Sequence, residues 1–247
     1  MQIEQAHWSF AHGWRPAPPG GSCRGAHLVL VFGTRALLHQ GQALVDIVRA
    51  YPDAIITGCS TAGEICGDHV FDDTVVATAL QFESSACEMA SVRLDEAASS
   101  DEAGTLLAAR LPRHEELRHV LVFSDGLHVN GSALVQGLTR GLPSRLAVTG
   151  GLSADGPRFE DTSVIVAGQP RSRVIVAVGL YGAALRIGYG SLGGWDVFGP
   201  MRLITRSSGN VLYELDGQSA LALYKRYLGD QASDLPASGL LFPRYRL

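Results

Sequence analysis

Cysteine is scarce: Cys23, Cys59, Cys66 and Cys87 are the four in 247 residues. Their uneven spacing excludes a disulfide framework or a CxxC zinc site and leaves reduced thiols. Clustered cations are also missing. With 20 Lys plus Arg against 24 Asp plus Glu, a net charge of −4 and no basic patch, nucleic acid is excluded as the main partner. No run of about 18 apolar residues is long enough to cross a bilayer. The opening Met-Gln-Ile-Glu-Gln-Ala-His-Trp has neither the basic nor the apolar region of a secretory signal. The expected location is the cytoplasm, with no membrane attachment. Disorder is excluded by 46% hydrophobic and 18% charged residues, a composition that fills one large core or two modest ones.

Residues 53–74 organise the rest. Asp53 to Thr57 is a strand-length apolar run, and it breaks into Gly58, Cys59, Ser60, Thr61, Ala62 and Gly63 before Glu64 and a polar loop. Small residues let a ligand approach the backbone, and the hydroxyls and Glu64 supply polar contacts. The plainer reading is a tight strand-exit loop.

The chain begins with an edge strand, Ile3 to Phe10, and a Pro/Gly-rich loop to residue 26. From His27 the pattern reads β-α-β-loop-β-β through residue 94, with the helix at Gln42 to Ala50, followed by a connecting helix in 95–118. The pattern then restarts over 119–183. His119-Val-Leu-Val-Phe123 echoes His27 to Phe32, Ser132 to Val135 echoes Gln42 to Val45, and Thr149-Gly150-Gly151 echoes Thr57-Gly58-Cys59. Glu160-Asp161-Thr162 is read as the echo of Asp72-Asp73-Thr74. A period near 90 residues is too long for a solenoid. The expected fold class is therefore α/β, with two pseudo-repeated β-α-β-loop-β-β halves forming mixed sheets, plus a C-terminal β-rich extension and helix. If the halves pack about a pseudo-twofold axis, loops 58–73 and 150–161 approach one another and their junction is the expected pocket. The tail is expected to hold strands at Ala184 to Ser191, Met201 to Arg206 and Val211 to Glu214. A helix follows at Ser219 to Leu228, capped by Asp216 or Gly217. Residues 217–247 read as the start of a truncated C-terminal portion.

These residues resemble the FIST sensory domain family, named from F-box and intracellular signal transduction proteins. The resemblance rests on Gly58-Cys-Ser-Thr-Ala-Gly-Glu-Ile65, Ser124-Asp-Gly-Leu127 with Asn130-Gly131, and Gly150-Gly-Leu-Ser-Ala-Asp-Gly156 with Arg158-Phe159. It continues through Gly193-Gly-Trp195, Phe198-Gly-Pro200, Thr205 and Tyr213-Glu-Leu-Asp-Gly217, spanning roughly 27–228. It implies a bacterial ligand-binding input domain without catalysis of its own. Its signal would pass to a histidine kinase or a cyclic-di-GMP pathway, and a homo-oligomer is left open. A small polar ligand such as an amino acid is one expectation. The other follows the nitric-oxide-sensing branch, NosP, which binds haem.

Haem requires a neutral imidazole as axial ligand. His39 and His128 are read on the βα loop of each half, where open α/β sheets take ligands, and His69 lies in the organising loop. Exposed loop histidines are the plainer reading. His27 and His119 are expected to be structural. For an amino acid, Arg158 is the carboxylate anchor, with Glu64, Asp125 or Asp155 for the ammonium group. In the plainer reading these cap turns. His114 and His119 are five apart, which puts them on different helix faces and against a shared metal. Gly188 to Gly193 matches a dinucleotide glycine pattern but leads into no helix. A Cys59 nucleophile is the remaining, enzymatic reading. Trp195, Phe198 and Phe159 wall a pocket or fill core.

Overall fold

The run β3 (Leu28–Gly33) sends Val29 and Val31 to one face and Leu28, Leu30 and Phe32 to the other. Period-two alternation with both faces apolar needs cover on both sides. In the computed structural model, which describes residues 1–112, 115–190 and 199–236, that cover is a helix layer on one side and a second sheet on the other.

The first sheet collects β1 (Gln2–Ser9), β2 (Gly13–Arg15), β3, β4 (Ile55–Ser60) and β7 (Val75–Gln81). Its helix layer is α1 (Arg35–Gln40) and α2 (Gln42–Ala50), whose Leu38, Leu44 and Ile47 pack on Val29 and Val31. Between β4 and β7 stands a short hairpin, β5 (Glu64–Cys66) and β6 (His69–Phe71), whose strands pair with each other. The second sheet is built from β8 (Ala86–Arg93), β9 (Leu117–Ser124), β10 (Ala147–Leu152) and β13 (Val174–Tyr181), under α3 (Ser100–Arg110) and α4 (Gly131–Gly141). A second hairpin, β11 (Val164–Val166) and β12 (Gln169–Arg171), precedes β13. It crosses to the first sheet, whose order is β12-β11-β4-β3-β7-β1-β2; the second sheet is β10-β9-β13-β8.

The sheets meet face to face through Leu28, Phe123, Val164, Val176 and Val178, and the Phe32 and Phe123 rings cross edge-on at 5.7 Å. Strand β13, Val-Ile-Val-Ala-Val-Gly-Leu-Tyr, is buried at every residue because it has a helix layer on one face and the other sheet on the second. The mixed sheets and paired halves bear out the α/β expectation.

The repeat is visible in register. Val31 sits opposite Gly58 in the β3/β4 pair, and Val122 opposite Gly150 in the β9/β10 pair. The proposed echo of Asp72-Asp73-Thr74 in Glu160-Asp161-Thr162 is corrected. The hairpins correspond at an offset of 100, Ile65 to Ile165, and the positive-φ residues Gly67 and Asp73 match Ala167 and Arg173. The extra length lies in the second half's loop after β10. The loop read at 58–73 contains the β5–β6 hairpin, whereas β11–β12 follows the loop read at 150–161.

The Pro/Gly-rich segment after β2 is held by one carboxylate. Glu4 accepts the backbone N–H groups of Gly20, Gly21, Ser22 and Cys23 at 2.8–3.1 Å, and the Ser22 hydroxyl at 3.2 Å. Burial pushes this carboxyl up, but the amides of Gly21, Cys23 and Ser22 together outweigh it and hold the pKa below the ordinary 4.5. A depressed folded-state pKa contributes stability above the unfolded value that is lost as pH falls through the folded one. Glu4→Gln is therefore expected to cost about 1 kcal/mol at neutral pH, a figure kept small by solvent screening, with the gap to wild type closing in acid. Urea titrations of both proteins across the acid range check this; a gap that is constant with pH would refute it.

Residues Pro157–Phe159 and those from Tyr189 on form a second compact unit. It contains a sheet of β14 (Ile204–Ser208), β15 (Val211–Leu215) and β16 (Gln218–Ser219), then α5 (Ala220–Leu228). The strand expected at 184–191 does not form over residues 184–190, which are turn and irregular backbone. The helix cap is Ser219, whose Oγ accepts Ala222 N–H at 3.3 Å, and not Asp216 or Gly217. Those two occupy the positive-φ turn between β15 and β16. No helix among the described residues is long and apolar enough to cross a membrane.

Candidate functional site

Strands β3 and β4 run parallel, as do β9 and β10, so their C-terminal ends carry the small polar residues that the sequence places there. The two loops do approach one another. Ser60 N–H donates to the Ser163 carbonyl at 2.8 Å, Ser163 N–H to Ser60 Oγ at 2.9 Å, and Ala154 N–H to the Ser60 carbonyl at 2.8 Å. These bonds join the two loops directly at Ser60.

Each predicted residue has a defined place. Gly58 lies inside the sheet at φ +145°, and what approaches it is the Val31 carbonyl. Gly150 repeats that geometry against Val122, while Gly151 is exposed with open space where a Cβ would stand. Cys59 is buried and burial pushes its thiol up to about 12, so it is held protonated. Thr61 Oγ1 donates to Glu64 Oε1 at 2.7 Å. Buried Glu64 also accepts Thr74 N–H at 3.2 Å and Thr74 Oγ1–H at 2.8 Å, which pins the base of the β5–β6 hairpin. Asp125, buried, accepts the N–H groups of Leu127, His128 and Arg173. Asp155 Oδ2 accepts those of Glu160 and Asp161 at 2.8 and 3.1 Å. Arg158 is exposed and falls in the second unit, as does Phe159. His114, Trp195 and Phe198 lie outside the described residues.

The histidines differ. His39 is not on a loop: it occupies the last turn of α1, a helix the sequence reading missed because Gly41 interrupts the pattern between α1 and α2. Its Nε2 lies 2.8 Å from Ser163 Oγ. Burial pushes its pKa down, the Arg35 guanidinium adds to this, and Asp161, ion-paired to Arg35, opposes it. The ring is neutral at physiological pH. His128, on the loop after β9, has Nδ1 3.0 Å from Asp125 Oδ1. His69, in β6, is 71% exposed beside Asp68. His27 Nδ1 accepts Phe82 N–H at 3.0 Å, and buried His119 meets Thr149 Oγ1 at 2.7 Å, so both serve the structure.

A cavity of about 580 Å³ opens beside His39, between α1–α2 and the β11–β12 turn. Leu38, Leu44, Val45, Val48 and Pro170 give it an apolar wall, with Arg49 among the polar lining. Sequence reasoning missed it because Pro170 and Gly168 reach the first half only through the crossed hairpin. No group of three His, Cys, Asp or Glu among the described residues can hold a metal ion.

The model of one protein family, the FIST N domain, matches residues 27–218. No curated protein matches the chain.

Proposed function

We propose, from the premise that this chain belongs to the FIST N domain family of signal-transduction sensory domains, that it is a bacterial ligand-binding input module. Its ligand enters the His39 cavity, and that ligand is haem. Nitric oxide is then the signal, passed to a histidine kinase or a cyclic-di-GMP pathway. The single observation that carries this reading is a neutral imidazole at an apolar cavity of about 580 Å³, within the roughly 300–1,000 Å³ usual for small-molecule sites.

The residues fit the group. A Ser163 hydroxyl that accepts Nε2–H leaves the Nδ1 lone pair of His39 for iron, the arrangement in which a ligating histidine donates its other nitrogen to a second partner. Arg49 supplies a cation for a propionate. Haem, when bound, provides the diatomic-gas site. His69 and His128 do not line this cavity. The reading is non-enzymatic, supported by the buried and protonated Cys59 thiol.

Titrating purified protein with haemin is expected to give a Soret band that is lost in His39→Ala and retained in His69→Ala and His128→Ala. Because the His39 pKa lies below the ordinary 6.5, protons compete for the ring only in acid. Haemin affinity is therefore expected to stay level down to neutral pH and to fall below it. A Soret band indifferent to His39→Ala would refute this assignment.

A second reading is supported by Arg171 and Arg173, in a cleft of about 500 Å³ that the Arg93–Asp95 ion pair also lines. Their guanidinium groups suit the carboxylate of an amino acid. Protein that takes up no haemin, but whose melting temperature rises with an amino acid and loses that rise in Arg171→Ala, would establish it instead.

A further inference from the structure

The two hairpins are duplicates with opposite fates. On the first sheet, β11 adds to β4, with Val164 opposite Cys59 and Ile165 opposite Gly58. Thr57 Oγ1–H donates to the Ile165 carbonyl at 2.8 Å, and Ile165 is fully buried. The edge it covers, β4, is buried from Ile56 to Ser60.

The equivalent edge, β10, has no such cover among the described residues. It is the terminal strand of its sheet, and Gly150, Gly151 and Leu152 are exposed. Its counterpart of Thr57 is Thr149. Thr149 Oγ1 lies 2.7 Å from His119 Nε2.

The equivalent hairpin, β5–β6, adds to no larger sheet among the described residues. Ile65, the counterpart of Ile165, is 67% exposed, and its cross-strand neighbour Val70 is 74% exposed. The hairpin is nevertheless held firmly: Gly67 N–H donates to Gln5 Oε1 at 2.8 Å, Phe71 stacks on His7 at 4.4 Å, and Glu64 pins its base. Among the described residues there is thus an uncovered strand edge and an uncovered, preorganised hairpin of the type that fills such an edge within the same molecule.

We propose that the β5–β6 hairpin of one copy adds to the β10 edge of a second copy of this chain, placing Ile65 opposite Gly150 as Ile165 lies opposite Gly58. Strand addition supplies main-chain hydrogen bonds across the new edge, and Ile65 and Val70 supply the apolar contact. Donor and acceptor are different surfaces, and reciprocal exchange, each hairpin on the other copy's β10 edge, closes the pair as a two-fold, isologous dimer.

Sedimentation equilibrium of the full chain is expected to give an average mass at least twice that of one copy. Ile65→Lys/Val70→Lys is expected to sediment as a single copy and to melt at the temperature of wild type diluted to its single-copy form, since both side chains face solvent in one copy. Amide hydrogen exchange over 149–152 is expected to slow as wild-type concentration rises and to ignore concentration in the double variant. A wild-type chain that stays single at every soluble concentration overturns the proposal. So does association that survives the double variant, or β10 amides whose exchange does not respond to association.

Discussion

Alanine at position 58 is expected to destabilise the protein by about 4 kcal/mol, enough to leave much of it unfolded at physiological temperature. Gly58 has φ +145°, and a Cβ built there falls 1.9 Å from the Val31 carbonyl oxygen and 2.7 Å from its carbon. Neither backbone can retreat. Val31 is held in the β3/β4 register and by β7 on its other side, and β11 closes the far side of β4. Gly150 offers an internal control. Its φ is +152° and its Cβ meets the Val122 oxygen at the same 1.9 Å, but in protein diluted to single copies β10 is an edge and can shift outward. Gly150→Ala is therefore expected to cost about half as much, roughly 2 kcal/mol. Urea denaturation of the two variants measures the difference. A Gly58→Ala protein within about 1 kcal/mol of wild type, or no milder an effect at Gly150, would show that the strand does not require glycine.

This pair of glycines also shows what was legible in the sequence. The echo Thr57-Gly58 and Thr149-Gly150 was visible, and it marks the same backbone approach in both halves. The reason inferred for it was room for a ligand; at these two glycines the group that approaches is the neighbouring strand's carbonyl. Beyond β10 the correspondence was misread. The offset grows from 92 at the glycines to 100 at the hairpins, and two acidic residues followed by threonine, 88 residues after Asp72-Asp73-Thr74, imitated the missing match. Three-residue strands are too short to show a period. Nothing local in Val164-Ile-Val tells that it joins the other half's sheet, since its partner β4 lies about a hundred residues away. The His39 cavity depends on that crossing, so it was hidden with it. His39 itself was singled out as a candidate, but on a loop, because a six-residue helix ending at Gly41 gives little amphipathic signal. Burial of polar groups was equally illegible: Glu64 and Asp125 were recognised as notable, but whether they face a ligand or their own backbone depends on loop geometry.

Asp125 is where those two readings separate most sharply. Its Oδ1 accepts Leu127 N–H at 3.0 Å, His128 N–H at 2.7 Å and lies 3.0 Å from His128 Nδ1, while Oδ2 accepts Arg173 N–H at 3.2 Å. The carboxylate thereby ties the loop after β9 to the residue that begins β13, in a site where the side chain is 1% exposed. Asp125→Ala strands these donors in the interior and is expected to cost about 3–4 kcal/mol. Asp125→Asn keeps one acceptor oxygen but turns an amide toward a former partner, and about 1–2 kcal/mol is expected. If Asp125 serves the loop alone, Asp125→Asn protein, still folded, takes up haemin or an amino acid as wild type does. If it holds the ligand's ammonium group, amino-acid affinity drops at least tenfold, the equivalent of about 1.4 kcal/mol, while the stability change stays small. The backbone donors converging on this carboxylate leave it little capacity for a ligand, so the expected result is the first: a loss of stability with unchanged uptake.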